Sequence, residues 1–136
     1  MAVFQLFYVS RAAGAIDSGS VLALVHEARS RNEALRITGC LLFSGHCFAQ
    51  VLEGERGDVQ ALARRIAGDA RHGGVRVLSE RARAEREYAG WPMGFLHDVS
   101  VEDDLETLLV IPQRSPGVAA DVMERMRPDP VMGALR

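Results

Sequence analysis

The spacing of apolar residues along the chain predicts five strands and four helices. Apolar runs rich in β-formers fall at residues 3–10, on both sides of 44–46 within the stretch 37–54, at 75–78 and at 88–95. Stripes with helical spacing begin near residues 18–20, 58, 103–104 and 116. The predicted order is therefore β-α-β-β-α-β-β, followed by two C-terminal helices.

The first predicted strand is apolar on both faces, with Phe4 and Tyr8 on one side and Phe7 and Val9 on the other. A strand of this kind lies in the middle of a sheet that is covered on both sides. The first six elements fit the ferredoxin-like split βαβ arrangement, in which both crossover helices cover one face. We therefore predict an α+β fold, ferredoxin-like βαββαββ, whose C-terminal helices cover the other face.

Gln50 lies among apolar residues in the second strand of a predicted hairpin, whose two-residue loop is Ser44-Gly45 or Gly45-His46. The first loop places Gln50 opposite Gly39 and the second places it opposite Leu41. A buried amide without partners costs about 1–3 kcal/mol, so polar atoms must meet it. Because Gly39 has no side chain, we expect an opening beside the amide.

Length and charge narrow the class of protein. The 136 residues are most simply one main domain over 1–97, a helical extension packed on the sheet over 98–127 and a flexible tail over 128–136. A net charge of −2 and a pI near 6.1 argue against a general nucleic-acid binder. No secretory signal and no apolar run near the ~20 residues of a membrane span is present, so we expect a cytoplasmic protein that does not bind membranes.

The usual motifs for dinucleotide, phosphate and metal sites are absent from the sequence. The four histidines are scattered, and only His46 and Cys47 stand together, whereas zinc needs about four clustered ligands. Cys40 and Cys47 lie in apolar strands and are not directly opposite, so we expect two core thiols without a disulfide. No metal site is predicted.

Five further residues attract attention as a group: Tyr8, Asn32, Gln50, Trp91 and Met93. Taken alone, Asn32 is predicted to end the first helix, because asparagine tolerates the left-handed conformation. Trp91 and Met93 have the same parity in the last predicted strand, which places them side by side on one face. The topology places the strands of Tyr8 and Gln50 side by side, so Tyr8 could reach the amide if the crossover helices cover the hairpin face that carries Gln50. A phenol and two amides in an apolar wall suit a flat heteroaromatic ligand with donors and acceptors along one edge.

Most of the chain, from Phe4 to Phe95, resembles the BLUF domains, which are blue-light sensors that use FAD. Five segments in order carry the resemblance: Phe-Tyr-Val-Ser-Arg-Ala in the first strand, Asn32 before Ile-Thr-Gly, Phe-Ala-Gln-Val-Leu-Glu-Gly around Gln50, Asp-Ala-Arg-His at 69–72, and Tyr-Ala-Gly-Trp-Pro-Met at 88–93. The resemblance implies that residues 1–97 bind a flavin, with FAD as the family default and FMN or riboflavin as alternatives.

The resemblance also implies roles for individual residues. Tyr8 would give an electron and a proton to the light-excited flavin. Gln50 would bridge Tyr8 to the flavin and rearrange after excitation, since its amide has distinct donor and acceptor ends. Asn32 would hydrogen-bond the polar edge of the ring, and Arg31 and His72 would lie near the flavin.

The expected output of such a sensor passes through the last strand. By resemblance, Trp91 and Met93 would relay the change, although Pro92 between them restricts how far this strand can slide. No segment resembles a cyclase or phosphodiesterase effector, so we expect a sensor rather than an enzyme, which signals through its C-terminal helices to a separate, unknown protein partner. Apolar surface that includes Met126 and Val131 favours a homo-oligomer.

Two other functions fit parts of the pattern. A light-independent ferredoxin-like module could bind a small ligand or a protein, with Tyr8 and Gln50 as a static polar pair. An enzyme of the acylphosphatase kind would use Arg31 and Asn32, but these residues lack a glycine loop that could cradle a phosphate.

Overall fold

The computed structural model describes residues 2–14, 18–111 and 116–128. The strands are β1 (Val3–Ala12), β2 (Thr38–Phe43), β3 (Cys47–Gly54), β4 (His72–Arg83) and β5 (Gly94–His97). The helices are α1 (Ser18–Leu35), α2 (Arg56–Ala67), α3 (Glu102–Val110) and α4 (Pro116–Met126), and a 3-10 turn at Val99–Val101 precedes α3. In this described part of the chain, no helix combines the length and the apolar character needed to cross a bilayer.

The five strands form one sheet in the order β4-β1-β3-β2-β5. Strand β1 pairs antiparallel with β3 and β4, β2 pairs antiparallel with β3, and β5 runs parallel to β2 at the edge. This arrangement confirms the ferredoxin-like α+β prediction. The edge position of β5 agrees with Pro92 just before it, because a proline cannot donate to a ladder.

The hairpin between β2 and β3 settles the register of Gln50. The loop is Gly45-His46, closed by a 3.0 Å hydrogen bond from the Ser44 amide to the Cys47 carbonyl, and Gly45 adopts a φ of +119°. Gln50 consequently lies opposite Leu41. The opening expected at Gly39 is absent, because a Cβ there would lie 1.9 Å from the carbonyl oxygen of Val51. The missing side chain lets two backbones approach closely and leaves no room for a ligand.

Each sheet face is covered by a separate core. We call the first the crossover core, because α1 and α2 pack there on the sheet; its residues include Tyr8, Leu41, Phe48 and Leu52 of the strands, and Met93. We call the second the C-terminal core, in which α3 and α4 pack on the opposite strand face together with Phe7, Cys40, Cys47, Tyr88 and Trp91. The doubly apolar β1 is explained by this two-sided covering, as the sequence predicted.

The apolar surface expected on the C-terminal helices is not found at Met126. Met126 is buried in the C-terminal core, so it adds nothing to an exposed apolar patch, while Val131 lies outside the described residues. The predicted tail also lies outside them, except for Pro128.

Cys40 and Cys47 are buried free thiols, as predicted.

Two predicted boundaries near the candidate site are wrong. Helix α1 does not end at Asn32 but continues to Leu35, and Arg36 supplies the left-handed residue with a φ of +56°. The last strand begins at Gly94 instead of residue 88. Trp91 and Met93 therefore precede the strand, and they belong to opposite cores instead of sharing a face.

Candidate functional site

Tyr8 and Gln50 are direct cross-strand partners at the centre of the sheet. The Tyr8 hydroxyl donates a hydrogen bond to Gln50 Oε1, and both side chains are buried in the crossover core. Burial raises the pKa of Tyr8 well above its ordinary value, an effect that the nearby Arg31 cation opposes and the Asp69 carboxylate reinforces. The phenol is therefore neutral at physiological pH, and its proton already points at an acceptor.

The other end of the Gln50 amide contacts Met93. Gln50 Nε2 donates to Met93 Sδ at 3.4 Å, and Met93 is fully buried. A thioether sulfur is a weak acceptor, so this contact holds the amide much less firmly than the Tyr8 hydroxyl does. Gln50 thus has one strong and one weak partner, and a half-turn of the amide would turn Nε2 toward the Tyr8 hydroxyl and Oε1 toward a sulfur that cannot donate.

The three residues before β5 are held by their backbone carbonyls. Trp91 O accepts from the Gly39 amide at 2.9 Å, and Pro92 O accepts from Asn32 Nδ2 at 2.7 Å. Met93 O accepts from Arg29 Nε at 2.9 Å. Because these carbonyls bind β2 and α1, the segment does not enter the sheet ladder, which is the physical reason that the strand begins later than predicted.

Asn32 joins α1 to this segment. Its side chain is fully buried, and besides the bond to Pro92 its Oδ1 lies 3.4 Å from Arg31 Nε. A buried asparagine inside a helix is stable only with such partners. The structure therefore brings Asn32 to the same place as Met93 and Gln50, although the sequence assigned it to the end of a helix.

Trp91 lies on the other side of the sheet from Tyr8. Its ring packs in the C-terminal core, with an edge-to-face contact to Tyr88 at a centroid distance of 6.5 Å. A Cβ on Gly94 would lie 2.4 Å from Trp91 Cε3, so the ring occupies the space above this glycine. Trp91 therefore does not contact the Tyr8 and Gln50 pair, and the expected adjacency of Trp91 and Met93 on one face is wrong.

His72 lies beside Tyr8 on the sheet face that carries the crossover core. Its Nδ1 lies 3.0 Å from Ser10 Oγ, and its ring packs against Phe48 at 4.8 Å and against the edge of Tyr8 at 6.3 Å between centroids. Burial lowers the pKa of His72 to about 4, with the neighbouring arginines adding to the effect and Asp69 opposing it. The imidazole is consequently neutral at physiological pH.

A charged cleft of about 400 Å³ opens between α1 and the end of α2, and it is lined by Glu27, Arg31, Arg65, Ile66, Asp69 and Arg71. Arg71 crosses it, with Nη1 at 2.9 Å from Glu27 and Nη2 at 2.8 Å from Asp69. The bonds to Arg71 hold the pKa of Asp69 at about 2. Arg31 was expected near the ligand, and Arg71 belongs to the Asp-Ala-Arg-His segment that carries the family resemblance. Arg65 stands in no such segment and becomes recognisable only when α1 and α2 are brought together.

Glu53 is a further buried group that the sequence analysis missed. Its carboxylate accepts hydrogen bonds from Gln5 Nε2 at 3.0 Å, Thr38 Oγ1 at 3.1 Å, and the amides of Glu87 and Tyr88 at 2.8 and 2.9 Å. The carboxylate thus fixes the loop that leads from β4 to Trp91. The sequence signals that could have found it were its place at the end of an apolar run and inside the Phe-Ala-Gln-Val-Leu-Glu-Gly segment that carries the family resemblance.

The residues present fit a flavin. The crossover core offers a flat apolar wall around Phe48, with the amides of Gln50 and Asn32 as donors and acceptors at its edge. The cleft beside it presents the arginines 31, 65 and 71, which suit phosphate groups. Asn32, Gln50, His72 and the cleft arginines are therefore the side chains that could hold the cofactor.

Comparison with known proteins agrees with this geometry. The family model for sensors of blue-light using FAD, called BLUF, matches residues 3–94. Photoactivated adenylate cyclase subunit alpha from Euglena gracilis is 36% identical over 86 residues, which are 63% of this chain and 8% of that protein. Subunit beta from the same organism is 27% identical over 109 residues, 77% of this chain and 13% of that protein. The chain thus spans a small part of these relatives.

Solved structures resemble the fold over nearly the whole chain. The dark-state structure of the BLUF protein BlrB matches with a TM-score of 0.75 and 26% identity, covering 90% of this chain and 93% of BlrB. The BLUF domain of BlrP1 matches with a TM-score of 0.69 and 28% identity, covering 95% and 92% of the two chains. Family match, relatives and fold agree: the chain belongs to the BLUF family, the sensors of blue light that use FAD.

Proposed function

We propose that this chain senses blue light through the hydrogen-bonded series Tyr8, Gln50 and Met93. The observation that carries the proposal is the Tyr8 hydroxyl bonded to Gln50 Oε1 while Gln50 Nε2 bonds Met93 Sδ. All three side chains are buried in the crossover core, so solvent does not compete for these bonds. A change at Tyr8 is therefore transmitted to Met93 through a single amide.

The flavin is proposed to be FAD. Gln50, Asn32 and His72 would hold the polar edge of its ring system, and Arg31, Arg65 and Arg71 would neutralise a diphosphate. FMN would use the same arginines with a single phosphate, and riboflavin would use none of them. When bound, the flavin would supply the absorption of blue light and a one-electron acceptor.

Tyr8 is the residue placed to donate an electron. A phenol that loses an electron becomes a strong acid, and the Tyr8 proton can move along the existing hydrogen bond to Gln50 Oε1. Burial disfavours the separated phenolate, as the raised pKa of Tyr8 shows. The electron and the proton therefore leave Tyr8 together.

Gln50 provides the two-state element. Rotation of its amide by half a turn would place Nε2 toward the Tyr8 hydroxyl oxygen and Oε1 toward Met93. The rotation removes the contact to Met93 Sδ, which is the weaker of its two partners. Two amide orientations that differ only in their hydrogen bonds fit a reversible sensor, because no covalent bond between protein atoms is made or broken.

The output is proposed to pass through residues 91–93 to the C-terminal helices. Met93 contacts the Gln50 amide on one sheet face, and Trp91 lies in the C-terminal core beneath α3 and α4 on the other face. Residues 98–127 would then present the change to a separate protein partner or to a second copy of the chain. A dimer is the simplest closed assembly.

The test begins with the purified full chain, which should be yellow and should bind FAD more tightly than riboflavin. Blue light should cause a reversible red shift of the flavin absorption. Tyr8→Phe and Gln50→Leu should each keep the flavin and lose the shift. The two losses should not add in the double variant, because each removes the same switch.

Tyr88→Phe is the matched control. Tyr88 is also buried, and its hydroxyl donates to the Met126 carbonyl at 2.9 Å on the opposite face of the sheet. This variant should keep the red shift. A normal red shift in Tyr8→Phe would contradict the mechanism, and a chain that takes up none of the three flavins would support a light-independent binding module instead.

A further inference from the structure

A second cluster of reactive side chains lies on the opposite sheet face from Tyr8 and Gln50. Cys47 at the start of β3 meets Glu102 and Glu106 of α3, and the thiol and one oxygen of each carboxylate all lie within 4.8 Å of one another. Cys47 is fully buried, while the two glutamates are partly open to solvent. The cluster is therefore enclosed on the sheet side and accessible along the carboxylates.

One oxygen of Glu106 is held from outside and the other is directed at the thiol. Arg11 Nη2 bonds Oε2 at 2.5 Å, and Cys47 Sγ donates to Oε1 at 3.3 Å. The carboxylate is thus oriented by Arg11 so that its second oxygen points into the cluster. An outer partner of this kind is the usual support of a metal-binding carboxylate.

The two carboxylate oxygens of Glu102 also lie in different surroundings. Its Oε2 accepts from Ser44 Oγ at 2.7 Å and from the His46 amide at 3.0 Å. Its Oε1 is enclosed, and no donor among the described residues makes a hydrogen bond to it. A buried carboxylate oxygen without a partner costs free energy, so this atom is poised for a ligand that the residues themselves do not supply.

His46 stands at the open side of the cluster. Its Nδ1 lies 3.9 Å from Glu102 Oε1, and its side chain is 87% exposed. The imidazole therefore has the freedom to turn toward an ion bound between the carboxylates. A water molecule can fill the same position.

We propose that Cys47, Glu102 and Glu106 bind a divalent transition metal of the zinc class, with His46 or water as the fourth ligand. Zinc binds thiolate at about 2.3 Å and carboxylate oxygen at about 2.0–2.2 Å in tetrahedral geometry, which places ligand atoms roughly 3.3–3.8 Å apart. The 3.3 Å from Sγ to Glu106 and the 3.9 Å from His46 to Glu102 are close to that spacing. The thiolate favours zinc over magnesium and calcium, which prefer oxygen alone.

The charges of the cluster suit a divalent metal ion. A thiol must lose its proton to bind a metal, so the ion takes the place of the Cys47 proton, which leaves to the solvent. Two carboxylates and one thiolate carry three negative charges, which Arg11 and a divalent ion balance.

The experiment uses the full, flavin-loaded chain without a histidine tag. Titration with zinc, followed by calorimetry and by competition with a chromophoric chelator, should give one saturable ion per chain. Cobalt should give visible d–d absorption of a tetrahedral thiolate site at wavelengths longer than the flavin band. Magnesium at the same concentrations should not compete.

Variants locate the ion. Cys47→Ala, Glu102→Gln and Glu106→Gln should each weaken zinc binding at least tenfold, and the two glutamine variants keep the proposal testable if the cysteine variant folds poorly. Cys40→Ala is the matched control, because Cys40 is a buried thiol of the same core whose pKa is raised to about 12 by burial alone. It should bind zinc as the unchanged chain does.

Three results would overturn the proposal. They are the absence of a saturable zinc ion, binding that survives all three ligand variants, and equal loss in the Cys40→Ala control. A cobalt complex without thiolate character would likewise exclude Cys47 as a ligand.

Discussion

Replacing Glu53 by leucine should strongly destabilise the chain. The Glu53 carboxylate is fully buried and accepts four hydrogen bonds, two from side chains and two from the amides of Glu87 and Tyr88. Leucine is of similar size but accepts none of them. The side-chain donors Gln5 and Thr38 can turn to other partners, whereas the two amides belong to a loop whose Tyr88 is fixed in the C-terminal core.

The magnitude follows from the two amides. A buried donor left without its acceptor costs about 1–3 kcal/mol, so Glu53→Leu should lower the free energy of unfolding by about 2–6 kcal/mol. Glu53→Gln keeps one acceptor oxygen and should lose about half of that. Because a domain of this size has only about 5–15 kcal/mol of stability in total, the leucine variant stands near the limit of folding.

Urea unfolding monitored by circular dichroism measures the loss. With a slope of about 1–3 kcal/mol per M urea, a loss of about 3 kcal/mol moves the midpoint by roughly 1–3 M. Flavin concentration must be held constant, since a ligand that binds only the folded state adds stability. Glu80→Leu, at an exposed position of β4, is the control and should shift the midpoint little. Equal midpoints for the two leucine variants would refute the reasoning.

Two further predictions concern pH and packing. The pKa of His72 is about 4 in the folded chain against 6.5 in the unfolded chain, so the unfolded state binds more protons between these values. The free energy of unfolding should therefore fall by about 2–3 kcal/mol as the pH drops from 6.5 to 4. Urea midpoints measured across this pH range should show the fall in the unchanged chain but not in His72→Gln. The control His26→Gln, at an exposed position, should still show it. Gly94→Ala places a Cβ 2.4 Å from the Trp91 ring and should displace it, changing tryptophan fluorescence and costing about 1–3 kcal/mol. Gly117→Ala, with open space around the new Cβ, should leave the fluorescence unchanged, and an unaltered emission spectrum in Gly94→Ala would contradict the packing argument.

The fold was predictable because its signals are local and periodic. The apolar residues of β1 on both faces predicted a sheet covered twice, and the alternation in β3 placed Gln50 on the same face as Leu41 whichever loop was chosen. Tyr8 and Gln50 could be paired because the ferredoxin-like order makes β1 and β3 neighbours. Face and neighbouring strand therefore followed from parity and topology, whereas the register became known only with the observed Gly45-His46 loop.

The surroundings of the site were not predictable in the same way. Residues 91–93 have the alternation of a strand, but the carbonyls of Pro92 and Met93 bind side chains of α1, those of Asn32 and Arg29. Only the Trp91 carbonyl reaches the backbone of β2, at Gly39. These bonds form between segments far apart in sequence, and no periodic pattern encodes them. The missing side chain at Gly39 likewise suggested an opening, but the backbone of the facing strand fills that space.

The proposed metal site shows the same limit. His46 and Cys47 were the only histidine and cysteine that stand together, and the two glutamates lie more than fifty residues further along the chain. Glu102 and Glu106 are four residues apart, which places them on one face of α3. That spacing is common on solvated helices, so it points to a site only once the fold has brought the helix against Cys47.

The placement of Trp91 and Met93 on opposite faces bears on how a light signal would leave the crossover core. If both side chains lay on one face, a change at Gln50 would stay among residues that α1 and α2 already cover. In the observed arrangement, Met93 touches the Gln50 amide and Trp91, two residues earlier, packs in the C-terminal core. The intervening Pro92 carbonyl is fixed by Asn32, so the short segment is held at its middle. In the proposed mechanism, a movement of Met93 toward or away from Gln50 would be passed along this short segment to Trp91, whose ring packs on the face that α3 and α4 cover.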